Sequence, residues 1–185
     1  HETKDIGIIT KVKNHRELVE IDGIPALDKY ASWRGAIPEK FKDGQLLVES
    51  ICSPLGVKDP LGDLTVIRHP MNGNADHSMA LGNDLAEGTA IIRMEANVDE
   101  LIRSAGETLH TLKQEAPSAA AYHLVHCGGR RAGIGERIDE VAKELIAEAN
   151  GVPFIAEFTF GEYGFVQDGR NSCGGLMLSF TSFDK

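Results

Sequence analysis

The first half of the chain contains short runs in which β-branched residues alternate with polar ones. Residues 6–13 and 16–22 flank Asn14-His15 and predict an antiparallel hairpin. Residues 26–33 predict a short helix that Pro25 introduces. Further strands are predicted at the following positions: 63–69, 78–82 and 89–96. This half of the chain therefore predicts an antiparallel meander.

In the second half, two segments repeat apolar residues at helical spacing. Asn97 and Glu100 have the spacing of a capping box, and Asn150-Gly151 is typical of a left-handed helix end. The two apolar faces are Val98, Leu101, Ile102, Ala105, Leu109 and Leu112, and Ile134, Ile138, Val141, Leu145 and Ile146. Strands are predicted around these helices: 121–127, 154–160 and 176–183. We expect an α+β fold in one domain over residues 1–185, a mixed, largely antiparallel sheet with two long helices packed against it.

Charge and cysteine content restrict the environment and the partners. The 185 residues include 19 basic and 28 acidic side chains, a net charge of -9 that repels a phosphate backbone, so no nucleic-acid partner is expected. No segment approaches the roughly 18 consecutive apolar residues that a membrane-spanning helix needs, so no membrane partner is expected either. Three widely spaced cysteines indicate free thiols in a reducing compartment. We therefore expect a cytoplasmic protein without a signal peptide, whose natural chain extends beyond His1.

The first candidate site is the glycine-rich turn that follows the strand predicted at 121–127. Gly128 and Gly129 let a ligand approach the backbone at a helix N-terminus, and Arg130 has the geometry to bind a carboxylate through two hydrogen bonds. The alternative is an ordinary strand-to-helix turn with Arg130 and Arg131 in solvent. The residues alone favour neither interpretation.

The second candidate site is the turn at Gly161, Glu162 and Gly164, after the strand predicted at 154–160. If Glu162 is buried, it is suited to accept a ligand ammonium or to act as a general base. If the turn closes a hairpin, the carboxylate faces water. From the residues alone, the second interpretation is slightly favoured.

Cys127 is the candidate nucleophile, but its strand offers no base. His126 is its neighbour and points to the other face of a strand, while His123 lies roughly 13 Å away along it. A base would have to be another histidine, such as His69 or His77. An inert buried thiol is therefore the favoured interpretation. The spacing of histidines and cysteines is not typical of zinc, so no metal site is predicted, whereas a single haem-binding histidine leaves no spacing signature and stays open.

A series of short motifs, taken in order, resembles the C-terminal domain of the FIST family, a sensory domain of bacterial signalling proteins and some eukaryotic F-box proteins. The likeness extends from about residue 6 to residue 183. The motifs are Gly23-Ile24-Pro25-Ala26 with Tyr30, Pro54-Leu55-Gly56, Val66-Ile67-Arg68, Leu81-Gly82, Leu85-Ala86-Glu87-Gly88, Cys127-Gly128-Gly129-Arg130, Phe160-Gly161-Glu162-Tyr163-Gly164 and Asn171-Ser172.

The resemblance implies a non-enzymatic sensory domain of intracellular signal transduction that binds a small molecule, an amino acid or a related carboxylate, without a cofactor. Its expected partner is an N-terminal FIST domain, which is absent from this chain, or a signalling protein. The expected ligand-binding residues are Arg68, Cys127, Gly129, Arg130, Gly161, Glu162, Gly164, Asn171 and Ser172. Three alternatives stay open: a haem-dependent gas sensor, as some relatives are, a thiol-dependent enzyme that uses Cys127, and a protein-interaction module.

Overall fold

A computed structural model describes residues 1–58, 65–166 and 170–184, without the side chains of 165, 166 and 170–172. The chain divides into two compact units. The first contains His1–Glu95 and Ser172–Gly175, and the second contains Ala96–Asn171 and Leu176–Lys185.

The first unit is built on an eight-stranded sheet. Its strands are β1 (Glu2–Lys13), β2 (Glu17–Ile21), β3 (Ile24–Pro25), β4 (Leu55–Lys58), β5 (Thr65–Arg68), β6 (Pro70–Gly73), β7 (Met79–Leu81) and β8 (Ala90–Met94). They follow the order β5-β4-β8-β1-β2-β7-β6, with β3 paired to β2, and the pairings described are antiparallel. Its helices are α1 (Ala26–Trp33), α2 (Gln45–Glu49) and the 3-10 turn Pro38–Phe41.

Two local predictions in this unit are confirmed. The hairpin β1–β2 turns at Asn14 and His15, both of which have a positive φ, and β1 begins earlier than predicted, at Glu2. Helix α1 has the predicted bounds and starts directly after Pro25. Both elements depend on neighbouring residues alone, namely turn-forming residues and a proline before the first helical turn. The predicted strand start at 63 and 64 lies outside the described residues.

The second unit combines helices with a smaller, mixed sheet. Its helices are α3 (Val98–Glu115), α4 (Gly128–Ile134), α5 (Ile138–Ala149) and the 3-10 turn Gly135–Arg137. Its strands are β9 (Ala121–Cys127), β10 (Phe154–Thr159), β11 (Glu162–Val166), β12 (Arg170–Gly174) and β13 (Leu178–Phe183). Strand β9 pairs in parallel with β10 and antiparallel with β13, while β11 pairs with β12, whose last residues from Ser172 count with the first unit.

The two long helices begin and end for the predicted reasons. Asn97 Oδ1 accepts a hydrogen bond from the Glu100 N–H at 2.9 Å, and Glu100 Oε2 accepts one from the Asn97 N–H at 2.8 Å. Asn150 ends α5 in the left-handed conformation. Ile146 was assigned to the buried face of α5 and is instead 63% exposed, because Val141 and Leu145 provide the face that is buried.

The predicted fold class is confirmed: the protein is α+β, with largely antiparallel strands and helices packed against them. None of the helices formed by the described residues combines the length and apolar character that crossing a membrane requires.

Candidate functional site

A group of buried polar side chains surrounds the C-terminal end of β9. The exposed fractions are 2% for His126, 5% for Cys127, 8% for Arg130 and 2% for Glu162. Such residues are rarely buried in an ordinary core, where each polar atom has to find a partner. We call these four residues the β9 cluster. It includes residues from both glycine-rich turns that were predicted as site segments.

Glycine is needed at two backbone positions beside the β9 cluster. A Cβ on Gly128 would lie 3.2 Å from the Thr159 carbonyl oxygen, so glycine lets the start of α4 approach the end of β10. Gly161 has a φ of 85°, which favours glycine, and turns the chain from β10 into β11. Glu162 is the first residue after that turn, and this position carries it into the protein interior.

The guanidinium of Arg130 is held by oxygens of its own unit. Its Nη2 donates to the Leu101 carbonyl at 2.8 Å and to the Ser104 hydroxyl, and its Nη1 donates to the Leu176 carbonyl at 3.4 Å. The interpretation of Arg130 as a solvent-facing residue is therefore wrong. Because both terminal nitrogens have partners, a ligand would meet Nε, which has no partner among the described residues.

The carboxyl group of Glu162 has a hydrogen-bond partner at only one of its two oxygens among the described residues. Thr159 Oγ1 donates to its Oε1 at 3.3 Å, whereas Oε2 has no partner among the described residues. Burial raises the pKa of the Glu162 carboxyl above its usual range, against the opposing effects of the Cys127 thiol and the Met177 backbone. The prediction that this carboxylate faces water is wrong, since the fold around the turn covers it.

His126 also belongs to the cluster, although it is not among the ligand-binding residues predicted from the sequence. Its Nδ1 lies 3.0 Å from the Cys127 carbonyl oxygen and donates to it, which leaves Nε2 as an acceptor. Burial, with the charge of Arg130 as a second cause, lowers the pKa of His126 to about 4, so the ring is neutral at pH 7. Its signal in the sequence is alternation, since Tyr122, Leu124 and His126 share the buried face of β9.

Three buried side-chain atoms lack a hydrogen-bond partner in the part of the chain that the structure describes: His126 Nε2, Arg130 Nε and Glu162 Oε2. All three belong to the β9 cluster. A buried polar atom without a partner costs about 1–3 kcal/mol. A hydrogen-bond donor at His126 Nε2 or Glu162 Oε2, or an acceptor at Arg130 Nε, would remove the cost at that atom.

Cys127 does not have the environment of an activated nucleophile. Burial raises the pKa of its thiol, and the carboxylate of Glu162 raises it further, although the backbone amides of Arg130 and Gly129 act in the opposite direction. Its Sγ accepts a hydrogen bond from the Gly129 N–H at 3.3 Å and so caps α4. The thiol therefore serves as a small buried capping group.

The remaining predicted site residues have varied positions. Arg68 belongs to the first unit, where its Nε donates to the Asp84 carbonyl at 3.0 Å and its Nη1 to the Cys173 carbonyl at 3.1 Å. Gly129 lies within α4 and Gly164 within β11, so of the three glycines predicted as ligand-binding residues only Gly161 occupies a turn. The side chains of Asn171 and Ser172 lie outside the description, although their backbone forms part of β12.

A groove of about 470 Å³ lies at the other end of the same sheet. Its lining residues come from the beginnings of β9 and β10 and the end of β13: Ala121, Tyr122, His123, Pro153, Phe154, Ile155 and Phe183. None of the predicted site residues lines this groove, so it is separate from the β9 cluster.

Comparison with known proteins gives one family. The family described as FIST C domain matches residues 26–164, a segment that contains Cys127, Arg130 and Glu162. This family is associated with sensory roles in signal transduction and is not a known enzyme family. No curated protein and no solved structure matches the chain.

We predict that Cys127 reacts slowly with iodoacetamide. Because its pKa is raised, less of the nucleophilic thiolate is present at neutral pH than in an ordinary cysteine, and the side chain is buried. Mass spectrometry of the alkylated peptides measures the rate at each cysteine, with the partly exposed Cys173 as the internal control. Alkylation of Cys127 faster than free cysteine would contradict this prediction and revive the thiol-enzyme alternative.

Proposed function

Because this chain belongs to the FIST C domain family, we propose that it is a small-molecule-binding sensory domain of cytoplasmic signal transduction, whose ligand is an amino acid or a closely related carboxylate. The single observation that carries this proposal is that the three buried atoms without a partner in the described part of the chain all belong to the β9 cluster.

The three atoms complement the two ends of a zwitterion. Glu162 Oε2 and His126 Nε2 are acceptors that an ammonium group, with its three donors, can satisfy together. Arg130 Nε is a donor that a carboxylate can accept from. An amino acid carries a donor group for Glu162 and His126 and an acceptor group for Arg130 in one molecule, which favours it over a ligand with only one of the two groups.

The site is also prepared in advance for binding. Arg130 is fixed by the carbonyl oxygens of Leu101 and Leu176, and the Nδ1 of His126 is fixed by the Cys127 carbonyl. Side chains that are already ordered lose little conformational entropy when a ligand arrives. This low entropic cost supports binding of a small ligand, although such a ligand makes few contacts.

Transmission of the signal would involve residues 176 and 177. The Leu176 carbonyl accepts from Arg130, and the Met177 carbonyl accepts from the Cys127 N–H at 3.2 Å, just before β13 begins. A ligand that binds Arg130 more tightly in one arrangement of this segment shifts the population toward that arrangement. The recipient of the change would be an N-terminal FIST domain or a signalling protein.

We predict that amino acids raise the melting temperature of the chain. Each amino acid is compared with the carboxylic acid that lacks its ammonium group and the amine that lacks its carboxylate. At about 100 times the dissociation constant, binding adds about 2.7 kcal/mol, which corresponds to roughly 5–10 °C for a domain of this size. The two truncated molecules should give much smaller shifts, because each leaves part of the cluster unsatisfied.

Two matched variants test the site in the same assay. Glu162→Gln removes the buried carboxylate and should abolish the shift, whereas Glu157→Gln, on the exposed face of β10, should leave it unchanged. Unchanged melting temperatures with every amino acid, or an equal shift in Glu162→Gln, would contradict the proposal.

A haem-dependent gas sensor is the second candidate, and it is favoured by His126. A neutral imidazole that donates through Nδ1 to a backbone carbonyl has its Nε2 free to bind iron, and His126 has this arrangement. Haem would supply an iron at which a gas molecule binds. His126 would hold that iron.

We predict for this candidate a Soret absorption band when the chain is mixed with haem. Replacement His126→Ala should remove the band, while His123→Ala, at a partly exposed position of the same strand, should retain it. A spectrum equal to that of free haem would eliminate the haem candidate and leave the amino-acid proposal unaffected.

A further inference from the structure

A second group of titratable side chains lies in the first unit, which does not contain the β9 cluster. His77 Nδ1 is 2.5 Å from Asp28 Oδ1, and His77 Nε2 is 2.9 Å from Lys42 Nζ. The carboxylate, the imidazole and the ammonium thus form a continuous hydrogen-bonded chain.

The two partners together determine the proton positions on His77. An aspartate carboxylate accepts, so Nδ1 carries the hydrogen, and a lysine ammonium donates, so Nε2 carries the lone pair. A carboxylate that accepts from one ring nitrogen fixes the tautomer and the orientation of the ring and stabilises positive charge that develops on it. Nε2 of His77 therefore carries the lone pair of the ring in a fixed orientation, and this lone pair becomes available when the Lys42 ammonium moves away.

The backbone holds His77 in this position. It lies in the turn between β6 and β7 with a φ of 64°, a conformation that is uncommon outside glycine. Its carbonyl accepts from the Leu27 N–H at 2.9 Å at the start of α1, and its N–H donates to the Asn74 carbonyl at 3.0 Å.

The three side chains of this group are partly exposed to solvent. The exposed fractions of the side chains are 28% for His77, 36% for Asp28 and 23% for Lys42. Lys42 also contacts Glu39 at 3.6 Å, at an exposed ion pair that contributes little stability. Its flexible stem allows the ammonium to move from Nε2 to an anion that arrives there.

We propose that His77 accepts a phosphoryl group on Nε2, from a donor of the phosphoramidate class. Nε2 supplies the attacking electron pair, Lys42 pairs with the phosphoryl oxygens, and Asp28 stabilises the ring as positive charge develops on it. The proposal is independent of the ligand-binding function, because none of its residues belongs to the β9 cluster.

The step is balanced with the donor alone. Nε2 forms a bond to phosphorus while the phosphorus–nitrogen bond of the donor breaks. The electron pair of the broken phosphorus–nitrogen bond leaves with the donor nitrogen. This nitrogen is already protonated, and when phosphoramidate itself is the donor it departs as ammonia. The ring keeps its Nδ1 hydrogen, in contact with Asp28. No oxidant, reductant or metal ion is required.

Reaction of the whole chain with potassium phosphoramidate tests the proposal. Phosphorus NMR and peptide mapping under alkaline conditions follow phosphohistidine at each of the 7 histidines. His110 is the internal control, since its Nδ1 also contacts a carboxylate, Glu148 at 3.1 Å, but its Nε2 contacts the Gln114 amide and the residue is more exposed, at 58%. We expect His77 to be labelled faster than His110 by on the order of tenfold or more.

Variants of Asp28 and Lys42 distinguish a role in the phosphoryl transfer from a purely structural role. Asp28→Asn and Lys42→Gln should each slow labelling of His77 by on the order of tenfold, and Glu148→Gln should not change it. Circular dichroism checks that the variants are folded. Labelling of His110 at the same rate as His77 in the unchanged chain would overturn the proposal, whatever the variants do. So would equal labelling of His77 in folded Asp28→Asn and Lys42→Gln.

Discussion

The candidate site depends on the burial of two ionisable groups, the guanidinium of Arg130 and the carboxyl group of Glu162. Removing ions from water is costly unless each is paired and hydrogen-bonded. Arg130 meets this requirement mainly through backbone carbonyls, while burial pushes Glu162 toward its neutral form. Each residue keeps one polar atom without a hydrogen-bond partner among the described residues. This incomplete compensation is the physical basis for assigning a ligand to the site.

The β9 cluster is assembled by elements that are distant in sequence. Helix α3 provides the Leu101 carbonyl, the start of α4 provides Arg130, the turn after β10 provides Glu162, and residues 176 and 177 close the group. A change at either charge therefore acts on several elements of the unit at once. The sensory role associated with the family is consistent with such a site, since elements packed around one site can convert a small shift there into a larger rearrangement.

Local features of the sequence predicted the elements, and non-local contacts explain where prediction failed. The capping box at Asn97 and the hairpin at Asn14 involve residues a few positions apart, so their patterns were sufficient. The burial of Glu162 depends on packing around Cys127, 35 positions earlier in the sequence. The partners of Arg130 lie 26, 29 and 46 positions away, which no local pattern encodes. His126 was visible as a buried strand position, but its unpartnered Nε2 was not.

The pKa of Glu162, followed by carbon NMR of its carboxyl group during a pH titration, tests the central claim most directly. Burial without full compensation predicts a pKa above the ordinary carboxyl value in the free chain. An amino acid whose ammonium contacts the carboxylate should lower it again. Between the unfolded and folded pKa values the native state holds the extra proton, so stability relative to Glu162→Gln should fall as the pH rises. A pKa at or below the ordinary value in the free chain would contradict the account.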